Sequence, residues 1–234
     1  MKRALFFSIL LILLLFQGDF LFAQELKVVQ KINPIGLNEP SDLLYFNDTW
    51  YACGNKAFVY ESKDLVHWEA LPSVSDFDLE AITTDGEFLY ISEETYQRIL
   101  VYDTKTKNVV RTIPFKHGGG RNEGIEAMTF LSKTKTFLLV TEKDPCIFYE
   151  VNRDFQIINQ FQIDGIDEVS SIGWYNNNVF VLSDEDAAIY ELDWTTKAIK
   201  NQIKIPLINP EGFVWLHNEW IVCSDDMKRI VKLK

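Results

Sequence analysis

The sequence predicts an all-β protein, a β-propeller with five blades favoured over six, its ring closed by an N-terminal strand that pairs with the last blade. Three observations carry this. A short motif recurs at a blade-like period, only strand-like segments lie between its copies, and one strand is spare at the start while one is missing at the end. The motif is clearest in Asn122-Glu123-Gly124-Ile125-Glu126-Ala127 and is echoed in Asp78-Leu79-Glu80-Ala81-Ile82 and Asn209-Pro210-Glu211-Gly212-Phe213. Fainter copies are Pro40-Ser41-Asp42-Leu43 and Val169-Ser170-Ser171-Ile172. Aligning the acidic-entry position gives Asp42, Glu80, Glu126, Ser171 and Glu211, spaced 38, 46, 45 and 40 residues apart. A period of about 42 filled with short strands is that of a propeller blade. Six blades need a further unit that the residues do not supply, and a sandwich needs no such period.

Residues 1–23 read as a secretory signal peptide. Lys2-Arg3 is followed by the apolar run Ala4 to Phe16, a polar break at Gln17-Gly18-Asp19, and a small residue at Ala23. The run falls short of the ~20 residues of a membrane span, so cleavage near Ala23–Gln24 is expected over an uncleaved anchor. Residues 24–234 then form one propeller domain, exported to the periplasm or the extracellular space.

Leu26–Ile32 is a strand without a unit. Unit one reads as Leu43–Phe46, Trp50–Cys53, Ala57–Glu61 and His67–Leu71, with Asn47-Asp48 turning. Unit two follows as Ala81–Thr84, Phe88–Ser92, Arg98–Tyr102 and Val109–Ile113 around the Asp85-Gly86 hairpin. Unit three runs Ala127–Leu131, Thr136–Thr141, Ile147–Val151 and Gln156–Phe161. Units four and five turn at Asn176-Asn177-Asn178 and His217-Asn218-Glu219, and unit five ends after its third strand, Arg229–Leu233. Pairing Leu26–Ile32 beside Ile230–Leu233 completes the fifth sheet and removes an exposed edge.

Removing Lys2, Arg3 and Asp19 leaves 21 basic against 33 acidic residues, a net charge of −12. That sign disfavours a nucleic acid or an anionic membrane and favours cations or a cationic protein partner. Cys53, Cys146 and Cys223 lie in or beside apolar strands and read as buried thiols, with a Cys53–Cys223 disulfide possible because the first and last units are neighbours in a closed ring.

In an antiparallel hairpin the residue entering the first strand and the residue leaving the second lie on the same face. The entering set is Asp42, Glu80, Glu126, Ser171 and Glu211; the leaving set is Asn55, Glu93, Glu142, Asp184 and Asp225. Eight of these ten are carboxylates, expected to ring the mouth of the central channel. Their repulsion is relieved by a hard divalent cation, Ca²⁺ foremost, by nearby Lys56, Arg98, Lys116, Arg121, Lys143, Lys228 or Arg229, or by solvent and turn amides. Gly118-Gly119-Gly120-Arg121 lacks the ending of a phosphate loop and reads as an interblade loop. His67, His117 and His217 fall on separate units, and neither a Gly-x-Ser-x-Gly elbow nor a His-Glu-x-x-His helix occurs.

Glu80-Ala81-Ile82, Asn122-Glu123-Gly124-Ile125-Glu126-Ala127, Val181-Leu182-Ser183-Asp184-Glu185 and Pro210-Glu211-Gly212-Phe213 resemble the motifs of the SdiA-regulated (YjiK-like) family over about residues 30–234. More distantly the chain is similar to esterase-like phytases and to strictosidine-synthase-like or NHL-type propellers. The resemblance implies an exported propeller, with calcium binding reported for members. Ser171 and Asn55-Lys56 depart from the acidic pattern and shift an expected ion toward units two, three and five. The expectation is a binding or scaffolding protein, with Glu80, Glu126 and Glu211 leading ligation and Glu93, Glu142, Asp184, Asp225 and Asp42 beside them. A small anionic ligand could reach the protein through the metal. The alternative is a metal-assisted phosphoesterase or lactonase, with Glu123 or Glu94 as base and Arg121 or Lys143 as anion clamp; no nucleophile–base pair marks a catalytic residue.

Overall fold

The computed structural model describes residues 24–54, 58–71, 74, 78–117, 124–143 and 145–234. Residues 1–23, expected to be a signal peptide, Asn55-Lys56, Gly118–Arg121 and Glu123 lie outside the described residues. Among the described residues no helix is long and apolar enough to cross a membrane.

The described residues begin with β1 (Gln24–Glu25) and β2 (Val28–Ile32) and then build the blades in order. Blade one is β3 (Pro40–Phe46), β4 (Thr49–Gly54), β5 (Phe58–Ser62) and β6 (Trp68–Ala70). Blade two is β7 (Leu79–Thr84), β8 (Leu89–Glu93), β9 (Arg98–Asp103) and β10 (Asn108–Pro114). Blade three is β11 (Ile125–Leu131), β12 (Thr136–Thr141), β13 (Phe148–Val151) and β14 (Ile157–Phe161). Blade four is β15 (Ser171–Tyr175), β16 (Asn178–Ser183), β17 (Ala188–Asp193) and β18 (Ala198–Lys204). Blade five holds β19 (Pro210–Leu216), β20 (Glu219–Ser224) and β21 (Arg229–Leu233), and its fourth strand is β2. The innermost strands touch in the cyclic order β3, β7, β11, β15, β19 and back to β3. This is the expected five-bladed ring.

Closure follows the expectation and adds to it. β2 pairs antiparallel with β21, Ile32 opposite Ile230 and Val28 opposite Leu233. Lys27 and Lys234 exchange backbone hydrogen bonds at 2.9 and 3.0 Å, so both ends of the propeller are tied together. The expected single strand Leu26–Ile32 is broken instead. Leu26 turns into the apolar layer between blades four and five, and Gln24–Glu25 continue as a fifth, parallel strand on β18.

Turn chemistry sets the hairpins. Asn47 and Asp48, Asn176 and Asn177, and His217 and Asn218 all have positive φ, the signature of a two-residue turn whose twist matches paired strands. In blade two Asp85 accepts from the Glu87 and Phe88 amides at 2.9 and 3.0 Å, and Gly86 takes φ 94°. The core is five layers, one in each gap between blades. That explains the cysteines, all three of which are free and buried. Cys53 faces blade two, whereas Cys223 faces blade one, so neighbouring blades do not bring their sulfurs into a bond.

Candidate functional site: an acidic channel mouth

The innermost strands enter the ring through a shared irregularity. In β11 the register jumps from Ile125 opposite Thr141 to Ala127 opposite Val140, leaving Glu126 unopposed. The same break leaves Glu211 out in β19, Ser41 in β3, and Glu80 with Ala81 in β7. A bulge re-aims its extra side chain, and here it sets a glutamate at the channel mouth on blades two, three and five. β15 has no such break.

This register corrects the sequence alignment by one residue in three blades. The counterparts of Glu126 are Ser41 and Ser170; Asp42 and Ser171 lie one residue deeper, opposite Cys53 and Leu182. On the leaving side, Glu94, Asp184 and Asp225 each open a turn closed by the amide three residues on. Glu94 therefore takes the place expected for Glu93, because the longer bulge in β7 absorbs one more residue. Glu80 to Glu94, Ser170 to Asp184 and Glu211 to Asp225 are each 14 residues apart. Glu93 is buried at 1% exposure, meets the Arg98 guanidinium at 3.2 Å and accepts from the Tyr96 amide at 3.1 Å. It serves its own hairpin.

The mouth carboxyls act on one another. Burial, then repulsion from Glu94, Asp78 and Glu142, pushes Glu80 up to about 8, with a Ser41 hydroxyl bond opposing. Glu126 is raised well above the usual range by burial and by Glu80, Glu142, Glu94 and Glu211. Glu211 rises to about 8 through burial and through Asp225, Asp184, Glu80 and Glu168. Asp225 and Glu94 are raised as well, burial leading in both, although the Gly124 amide holds Glu94 at 3.0 Å. Among the expected cationic partners, Lys143 bridges Glu142 at 2.9 Å and Glu185 at 3.3 Å.

Glu168 is a member that sequence reasoning missed. It accepts the Ser170 and Ser183 hydroxyls at 2.9 and 2.7 Å and the Asp184 amide at 3.0 Å, and burial lifts it to about 7. It brings a carboxyl to the blade where the bulge glutamate is replaced by Ser170. Its signal in the sequence was Asp167-Glu168 immediately before the faintest repeat.

Asp42 does something different. Its Oδ1 accepts from the Leu43 amide and the Ser171 hydroxyl, both at 2.9 Å, and its Oδ2 accepts from the Ile82 amide at 3.0 Å. Blades one and four are not neighbours in the ring, so the bond to Ser171 crosses the bore. Burial raises this carboxyl to about 7 despite those three donors. At the same level a Cβ on Gly212 would stand 2.5 Å from the Asp42 Cα, so only glycine lets blade five close here. Asp42 is a plug beneath the mouth.

The family model described as SdiA-regulated matches residues 56–206, well over half of the chain. The chain belongs to the SdiA-regulated family. The match spans Glu80, Glu126 and Asp184, while Asp42, Glu211 and Asp225 lie outside it. No curated protein matches in sequence. Among solved structures, a Myxococcus xanthus glutaminyl cyclase is similar with a TM-score of 0.71 at 13% identity, over 91% of this chain and 97% of that one. A virginiamycin B lyase from Staphylococcus aureus is similar with a TM-score of 0.54 at 13% identity, over 83% of this chain and 66% of that one. Identities this low show the shared propeller fold alone.

Chemically, the acidic repeat yields a set of oxygen donors around one opening. Glu126, Glu80 and Glu211 come from three blades, yet Glu80 raises both of the others and Glu211 raises Glu126. Among the described residues no three His, Cys, Asp or Glu side chains are positioned to share one metal ion. The donor type fits a hard cation; the spacing is looser than a closed coordination shell.

Proposed function

We propose that the protein is an exported binding or scaffolding propeller that holds a divalent cation, Ca²⁺ foremost, at its acidic channel mouth. The observation that carries this reading is that register breaks in three blades leave Glu80, Glu126 and Glu211 unopposed at one opening, where Glu80 raises both of the others and Glu211 raises Glu126. Carboxyls buried beside like charges are stabilised together by one positive ion. Glu80, Glu126 and Glu211 would hold the ion, with Glu94, Glu142, Asp184 and Asp225 adding charge around it. Ca²⁺ accepts mixed carboxylate and water shells, which suits donors spaced as these are. The cation supplies charge neutralisation and a point for an anionic ligand.

Calorimetric titration of chelator-stripped protein tests it. Ca²⁺ is expected to bind with a Kd of about 10⁻⁴–10⁻³ M, the range of extracellular modules, and Glu126→Gln to weaken it by at least about tenfold. Absence of binding heat and of any rise in melting temperature with Ca²⁺ would reject the ion. Export has its own check: the N-terminal sequence of the protein recovered outside the cytoplasm should begin at Gln24, and retention of residues 1–23 would contradict it.

A further inference from the structure

Below Asp42 the bore opens again. A cavity of about 140 Å³ lies there, lined from all five innermost strands. Its lining runs from Asp42 toward the hairpin side, through Thr83, Thr129, Phe130 and Trp174, whereas Glu80, Glu126 and Glu211 sit on the other side of the plug. Asp42 is the single charged residue in the lining.

The composition of this chamber is selective. Phe130, Trp174, Tyr175 and Phe213 present aromatic surface, and aromatic faces attract cations. An anion would meet a carboxylate and ring faces. A bare metal ion would find one carboxylate and hydroxyls, too few strong donors for a shell. A carboxylate offers about four acceptor sites, and those of Asp42 are used twice at Oδ1 and once at Oδ2. All three donors are neutral, so the charge is not matched by a cation from these partners. One acceptor site on Oδ2 is left.

We propose that this cavity binds a small primary ammonium ion, its –NH₃⁺ on Asp42 Oδ2 and its short alkyl body among Phe130, Trp174 and Phe213. The Thr83 and Thr129 hydroxyls can accept remaining ammonium hydrogens. The volume is well below the ~300 Å³ at which sites for drug-sized ligands begin, which limits the ligand to a few carbons. This site is independent of the cation at the mouth, being on the far side of the Asp42–Ser171 bond.

The probe is n-butylammonium, with n-butanol as its neutral match, followed by melting temperature and by tryptophan fluorescence. Butylammonium is expected to stabilise the protein saturably and to perturb Trp174, and butanol to do neither. Asp42→Asn should weaken the ammonium by at least about tenfold, as loss of one partner of a buried charge pair does. Should that variant not fold, Trp174→Ala provides the second reading and should weaken binding severalfold. Equal response to butanol, no saturable response, or undiminished binding in the variant that folds would overturn the proposal. Displacement of the amine by Ca²⁺ would also overturn it, by placing the amine at the acidic mouth.

Discussion

Asp42 and Gly212 show how closely two residues fix the centre of the ring, one by its carboxyl and the other by lacking a side chain. Ser171→Ala removes the hydroxyl that spans the bore and leaves a buried carboxyl short of a donor; the expected cost is about 1–3 kcal/mol. It should appear as a lower urea midpoint at unchanged slope. Gly212→Ala sets a Cβ against strand backbone that cannot yield, with an expected loss of about 1–3 kcal/mol. Tolerance of both changes would mean that the inner strands lie farther apart. The motif was legible in the sequence because a carboxylate before a short apolar run stands out. Its register was not. A bulge adds a residue without changing composition, so Ser41 hid behind Asp42, Ser170 behind Ser171, and Glu94 behind Glu93. Glu168 hid because a loop supplies it.

Among the elements, β2 is the one that closes the ring, by pairing with β21 and burying Ile32. Without it β21 exposes its edge, and the apolar layer holding Ile32, Ile230 and Cys223 opens to water. Deleting residues 24–33 should therefore abolish cooperative unfolding, seen as loss of a sigmoidal thermal transition. A truncated protein that melts like the full one would show that the ring closes without its clasp. Leu26→Ala is the milder probe: Leu26 is 4% exposed between blades four and five, so about 2–4 kcal/mol should be lost. The clasp was readable because one strand was spare and one sheet a strand short. β1 was not readable, since two residues of parallel pairing carry no hydrophobic period.

At the scale of the molecule, five interblade layers hold up a mouth whose charges repel. The unfolded chain keeps ordinary carboxyl pKa values, while folding raises Asp42 and Glu168 to about 7 and Glu80 and Glu211 to about 8. A group raised on folding binds its proton more tightly in the native state. Its stabilising contribution is complete below the unfolded value, near pH 4, and is lost as pH rises through 7 to 8. The protein should thus melt at a lower temperature at pH 8 than at pH 5. A cation at the mouth opposes that loss, and it does so chiefly where the carboxyls are ionised.

The most direct test is the melting temperature at pH 5 and pH 8, each with excess Ca²⁺ and with chelator. At a Ca²⁺ concentration of about 100 Kd the expected gain is about 2.7 kcal/mol, or roughly 5–10 °C for a domain of this size, at pH 8, with little gain at pH 5. A melting temperature at pH 8 that Ca²⁺ leaves unmoved would contradict the claim that the ring assembles its carboxylates into a cation site.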